Sequence, residues 1–209
     1  MFAQALRLLL EAESDLELVG SVSTGEAAVE LTAGSAVDVV LMDIDLPGID
    51  GVVATRRIRE QTPDTQVVVI TAFQDADTVA KAVQAGACGF LPKTRTADEV
   101  AGVIRRAAAG ELVMPAGSMD AVMKSLEASQ RNRTQGEKLL SQLSNREVLI
   151  LQAIAEGRST GEIASQLYIS RFTVQTHIRN ILAKLDVHSK LEAVLLALRH
   201  GLIQVDKPS

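Results

Sequence analysis

The chain has 209 residues, 47% of them hydrophobic, and a formal net charge of −5. That hydrophobic share supports a buried core and excludes wholesale disorder, while no apolar run approaches the roughly 18 residues of a membrane span. Cys88 is the only cysteine and cannot close an internal disulfide, and no basic-then-apolar leader opens the sequence, so the chain is expected in the reducing cytoplasm.

In chain order, Phe2–Ala12 has apolar residues at helical spacing and Leu16–Val22 reads as a strand. Gly25–Ala33 is helical in pattern. Val37–Met42 is the continuous apolar run that a strand buried on both faces needs. Pro47-Gly48 and Asp50-Gly51 punctuate a loop. Val53–Gln61 then reads as a helix, Gln66–Ile70 as a second buried strand, Thr78–Ala85 as a helix, Gly89–Leu91 as a short strand and Ala97–Ala109 as a helix. Strands alternating with helices imply a parallel sheet covered by helices over residues 1–115. Residues 116–143 change character: Met119–Ala128 is helical in pattern, and 129–137 (SQRNRTQGE) is a polar linker.

Residues 144–205 read as helical throughout. Ser144 and Glu147 form a capping box that opens a helix to about Glu156, with Gly157 as its terminator. A short helix spans Thr160–Leu167, Ser170 caps a third running to about Leu185, and a fourth covers Lys190–His200 and stops at Gly201. Charge divides the chain in the same way. Residues 1–115 hold 9 Lys/Arg against 17 Asp/Glu, whereas residues 144–205 hold 7 against 5. An acidic half and a mildly basic half suggest different partners.

Ligands of open parallel sheets bind beyond the carboxyl ends of the strands. Asp43, Thr71 and Lys93 follow the three apolar strands there. Taken singly they read as a turn former, a strand end and a solvated charge, and Phe90 reads as core. Taken together they form a phosphoryl-accepting set: the carboxylate attacks, and the hydroxyl and ammonium hold the transferred oxygens. Residues 1–115 contain no His, no Gly-rich nucleotide loop and no base–nucleophile pair, so the chain is not expected to be an enzyme.

In the third C-terminal helix, Val174, Ile178, Ile181, Leu182 and Leu185 make a core stripe. Thr173, Thr176, His177, Asn180 and Lys184 lie on another face, flanked by Gln175 and Arg179. Such a face suits base edges and phosphates, and the two central helices with their turn form a helix-turn-helix. Lys184 is expected to touch phosphate. His188 and His200 lack any ligand constellation, so no metal is assigned in this half.

Residues 37–51 (VDVVLMDIDLPGIDG), 67–73 (VVVITAF) and 86–93 (GACGFLPK) resemble the receiver domains of two-component response regulators. The resemblance implies Asp43 as phosphoacceptor, Thr71 as switch hydroxyl, Lys93 as phosphate-binding lysine and Phe90 as the aromatic that reorients with the switch. Residues 143–202 are similar to the LuxR-type DNA-binding domain of the NarL/FixJ regulators, through Leu143–Glu147, Gly157, Glu162–Ala164, Leu167, Ile169-Ser170, Thr173-Val174, His177, Asn180-Ile181 and Lys184-Leu185. Gln175 departs from the pattern, which usually has Lys there.

The expected fold is therefore a flavodoxin-like α/β receiver with helices on both faces, plus an all-α four-helix domain. The expected partners are a sensor histidine kinase, promoter DNA read in the major groove by the Ser170–Leu185 helix, and a second copy, paired through the receiver or the last helix on two half-sites. A regulator independent of phosphorylation is the alternative. Receivers of this type begin with a strand ending in an acidic pair that binds a divalent metal. Met1-Phe2 resembles the stretch directly after that pair, so no residue here is assigned to it. The Mg²⁺ site implied at Asp43 is then incomplete, and acceptance of phosphate from acetyl phosphate is expected to be poor. Leu16–Val22 and Val37–Met42 would flank that strand; they are expected to pair directly, to recruit a strand from another molecule, or to leave the receiver partly disordered.

Overall fold

The computed structural model describes residues 6–8, 10–71, 76–94, 96–115, 123 and 138–204. Three strands, β1 (Val39–Asp43), β2 (Gln66–Thr71) and β3 (Gly89–Pro92), form a parallel sheet in the order β1-β2-β3. They alternate with α1 (Gly25–Gly34), α2 (Gly51–Gln61), α3 (Ala76–Gln84) and α4 (Ala97–Ala108). Val67, Val68 and Val69 of β2 are all fully buried, which is why this strand is an unbroken apolar run. Successive side chains point to opposite faces. Met42, Val67, Val69 and Phe90 join Ala54 and Ile58 of α2 and Val79 and Val83 of α3. Val68 and Leu91 join Val100 and Ala107 of α4, with Leu6 packed against them. Helices thus cover both faces. They start where short polar side chains satisfy free N–H groups: Thr24 accepts from Ala27, Asp50 from Val53, and Thr96 forms a capping box with Glu99.

One expected element is absent. Leu16–Val22 forms no strand, and Val19 and Val22 are 43% and 44% exposed. A strand needs a ladder partner for its backbone, and among the described residues β2 is the only partner of β1. The direct pairing of Leu16–Val22 with β1 therefore does not occur. Ionic contacts hold the preceding segment instead: the Arg105 guanidinium of α4 meets Glu13 at 2.6 Å and Asp15 at 2.7 Å. Within the expected first helix, residues 6–8 and 10 are helical. Of the expected Met119–Ala128 helix only Met123, which is helical, is described; the 129–137 linker lies outside the described residues.

The second half contains α5 (Asn145–Ala155), α6 (Thr160–Leu167), α7 (Arg171–Leu185) and α8 (Lys190–Arg199). The Ser144–Glu147 capping box forms as expected, Gly157 ends the first helix at φ 77, and Ser159 with Glu162 caps α6. Tyr168 sits at φ 55 in the turn between α6 and α7. That left-handed conformation strains a residue with a Cβ, and it turns the chain sharply into α7.

The halves touch through the starts of α6 and α8. The Thr160 N–H donates to the Ala109 carbonyl at 3.1 Å, the Ser189 hydroxyl to Val83 at 3.1 Å, and the Lys190 ammonium to Gly110 at 2.9 Å. These acceptors are carbonyls at or just past the carboxyl ends of α3 and α4, where the aligned peptide dipoles leave partial negative charge. Burial pushes the Lys190 ammonium down to about 8 and the neighbouring Cys88 thiol up to about 11.

Glu192 of α8 is 7% exposed and accepts the His188 N–H at 3.0 Å. Burial pushes its carboxyl up to about 7 from 4.5. A carboxyl raised on folding stabilises the native state most below its unfolded value, and that contribution is lost as pH rises through 7. Glu192→Gln should therefore remove the decline between pH 4.5 and 7, leaving the variant more stable than wild type at pH 8 by an amount on the order of 3 kcal/mol. Urea titrations at pH 5, 6 and 8 measure this; parallel slopes for the two proteins would refute it.

Candidate functional site

The register of the sheet builds the first site. Asp43 lies opposite Ile70, and Thr71 lies opposite Pro92, so Asp43, Thr71 and Lys93 emerge together at the carboxyl edge. Just past β3, the Lys93 N–H donates to the Thr71 carbonyl at 2.9 Å, which ties the turn to the end of β2. The Lys93 side chain then crosses β2, and its ammonium sits 2.6 Å from Asp43 Oδ2. The Asp45 N–H donates to Asp43 Oδ1 at 3.2 Å. Both side chains of the ion pair remain about one-third exposed, whereas Thr71 is buried between the strands. Phe90 is not part of this cluster: it pairs with Val69, two residues below the edge, and is buried in the core.

The ammonium offers positive charge to an incoming anion. A Mg²⁺ ion needs near-octahedral oxygen donors. Among the described residues no three His, Cys, Asp or Glu side chains come together, and one Asp43 oxygen already faces Lys93. These residues by themselves do not fit that ion.

The second site is the surface of α7. The Ser170 hydroxyl accepts the Thr173 N–H at 3.0 Å and lies 2.8 Å from the Thr173 hydroxyl, so the helix starts at a well-held cap. Val174, Ile178, Ile181 and Leu185 are buried. The exposed arc consists of Arg171, Phe172, Gln175, Thr176, Arg179, Asn180 and Ala183. With 3.6 residues per turn, Arg179 and Ala183 each lie about 20° from Phe172, one on either side, at its centre. Thr173, His177 and Lys184 sit on the flank and are half-buried. Of the polar face expected from the sequence, Gln175, Thr176, Arg179 and Asn180 lie in the exposed arc, whereas Thr173, His177 and Lys184 fall on this flank.

Lys184 shows why. Its ammonium reaches both Glu147 oxygens, at 2.9 and 2.7 Å, across 37 residues of sequence. Glu147 is itself buried and also accepts from the Ser144 N–H and hydroxyl at 2.7 and 2.9 Å. Burial pushes the Glu147 carboxyl up, but the Lys184 ammonium and the Ser144 donors outweigh it and hold it below the usual carboxylate range. Lys184 is thus a brace between α5 and α7. Arg146 donates to the Leu167 carbonyl at the end of α6, at 2.5 Å, and clamps the turn from the other side. Two exposed residues lie outside the polar pattern of the sequence: Phe172, which is 69% exposed, and Tyr168, which is 95% exposed. A helical wheel carries the signal for Phe172, since it stands seven residues before Arg179.

Comparison with known proteins places both sites in context. Residues 1–105 match the response regulator receiver domain model, and residues 141–197 match that of bacterial regulatory proteins of the luxR family. The chain is 38% identical to the transcriptional regulatory protein LiaR of Bacillus subtilis over 97% of this chain and 94% of that one. It is 35% identical to the response regulator UvrY of Escherichia coli K12 over 96% and 90%. The solved RcsB response regulator of Salmonella typhimurium, 22% identical, shares the fold with a TM-score of 0.51 over 95% and 92% of the two chains. RcsB has also been solved in complex with DNA.

Removing the brace exposes its role. Lys184→Ala leaves a buried carboxylate without its cation, which should cost about 2 kcal/mol. Adding Glu147→Gln should recover part of that loss. Because the Glu147 carboxyl is held low, its stabilisation is present above about pH 4.5 and fades as pH falls through its lower folded value, so the gap between wild type and Lys184→Ala should narrow in acid. Thermal melts from pH 3.5 to 7.5 read this directly, and an undiminished gap at the acid end would contradict it.

Proposed function

This chain belongs to the two-component response regulators of the NarL/FixJ type, transcription regulators that join a receiver domain to a LuxR-type helix-turn-helix domain, and we propose that Asp43 is its phosphoacceptor and the exposed arc of α7 its DNA-reading surface. The 2.6 Å contact between Lys93 and Asp43 at the carboxyl edge of the sheet carries the first half of this reading. A sensor histidine kinase is the donor. An Asp43 carboxylate oxygen forms the bond to phosphorus as the bond to the kinase imidazole nitrogen breaks. Lys93 then exchanges its carboxylate partner for a phosphoryl oxygen, and the Thr71 hydroxyl turns toward the same group. Phe90, packed two residues below the edge, follows that turn. Receiver domains of this family generally bind Mg²⁺.

On the DNA side, Gln175, Thr176, Arg179 and Asn180 face a major groove, with Arg179 the cation at the centre of the arc. Thr173 and His177 border it, and Lys184 acts through the placement of α7. Two copies read two half-sites, since one domain of this size covers few base pairs and pairing raises the effective concentration. The kinase, the promoter and a second copy are the partners, and the cytoplasm is the compartment. No helix among the described residues is long and apolar enough to cross a membrane.

Any label taken from acetyl phosphate in the presence of Mg²⁺ should be a single phosphoryl mass gain at Asp43, abolished by Asp43→Asn and reduced by Lys93→Ala. A label that persists in Asp43→Asn overturns the assignment. On DNA, Arg179→Ala should lower the logarithmic salt slope of binding by about one unit, whereas Asn180→Ala should change the preferred sequence with the slope intact. Gel-shift titrations at several salt concentrations separate the two, and unchanged binding by both variants would remove α7 from the interface.

A further inference from the structure

Resting on α7 as the DNA-reading helix, we infer that Phe172 is a sequence-determining residue that packs its ring against the 5-methyl group of a thymine in the major groove. Phe172 is 69% exposed, yet it lies at the centre of the outward arc of α7 rather than at its margin. A lone apolar side chain on a surface needs no explanation; this one is surrounded by Gln175 and Thr176 one turn along the helix and Arg179 two turns along. It is the second residue of α7, in the amino-terminal turn that meets base edges in helix-turn-helix proteins. The Ser170 cap holds that turn in place. The Thr176 hydroxyl donates back to the Phe172 carbonyl at 3.0 Å, so it has acceptor lone pairs but no free proton to offer a base.

A phenyl ring has no donor or acceptor and cannot read the hydrogen-bonding pattern of a base pair. Thymine is the one standard base that presents an apolar group in the major groove, its C5-methyl. A ring in this place selects thymine by burying that methyl, and the contact is worth about a fourfold change in affinity for one carbon.

The test begins by selecting a duplex from a randomised pool with the full 209-residue chain. Each thymine of the selected site is then replaced singly by deoxyuridine, which keeps the pairing and removes only the methyl. Wild type should lose about fourfold in affinity at one position per half-site. Phe172→Ala should show no loss there, Phe172→Leu an intermediate one, and Arg179→Ala the wild-type loss on a weaker background. At the same position 5-methylcytosine should bind wild type better than cytosine does. A flat uridine scan, or an equal loss in wild type and Phe172→Ala, overturns the methyl contact while leaving α7 as the reading helix. A pool that enriches no duplex overturns both. If Phe172→Ala instead breaks a dimer in solution and the scan is flat, the ring covers a second copy and the inference fails.

Discussion

Lys93 reaches Asp43 because only one strand, β2, stands between their strands, and the parallel register brings all three ends level. Adjacent strands lie about 4.8 Å apart, so the ion pair bridges the width of the sheet edge over Thr71. A slip of one residue in either pairing would turn a strand's side chains to the opposite face and break the set. The full burial of Val67, Val68 and Val69 opposes such a slip, because it would exchange apolar groups between two packed faces. The chemistry at the edge thus depends on packing beneath it.

A single carboxylate has a comparable role in the second half. Glu147 closes the capping box of α5 and holds the Lys184 ammonium of α7. Buried charges need such partners, and here the partners lie on two different helices, so satisfying the charge also sets the relation between them. With the Arg146 clamp on the end of α6, this determines which arc of α7 faces outward. Lys184 is drawn inward, and Phe172, Arg179 and Ala183 are left at the centre of the exposed surface.

The two halves meet through carbonyls at helix ends. The Val83 carbonyl in the last turn of α3 accepts from Ser189, and Gly110 just past α4 accepts from Lys190. The α3 helix follows the strand that ends in Thr71, so a displacement of α3 changes the seat of α8 directly. The partly buried Lys190 ammonium makes the joint sensitive to proton concentration. Its lowered pKa means that the contact strengthens as pH rises above about 8, where the docked amine is neutral and a free lysine would still hold its proton.

Much of this was legible in the sequence because it is local. The Ser144–Glu147 box, the Ser170 cap, the Thr160–Leu167 helix and the strand-end positions of Asp43, Thr71 and Lys93 all follow from spacing and from short-range satisfaction of backbone groups. Residues at helical or alternating spacing have few ways to bury their apolar sides, so the order of elements follows from the pattern. What the sequence did not reveal depends on distant partners. Leu16–Val22 has the composition of a strand but lacks a neighbour among the described residues, and a strand without a ladder does not form. Lys184 has the appearance of a DNA-facing cation until Glu147, 37 residues away, is folded against it. Ser189 meets Val83 across 106 residues. Element identity is set by each segment's own side chains, whereas register, the outward arc of α7 and the joint between halves are set by which buried charges and backbone groups find partners, and only the assembled chain decides that.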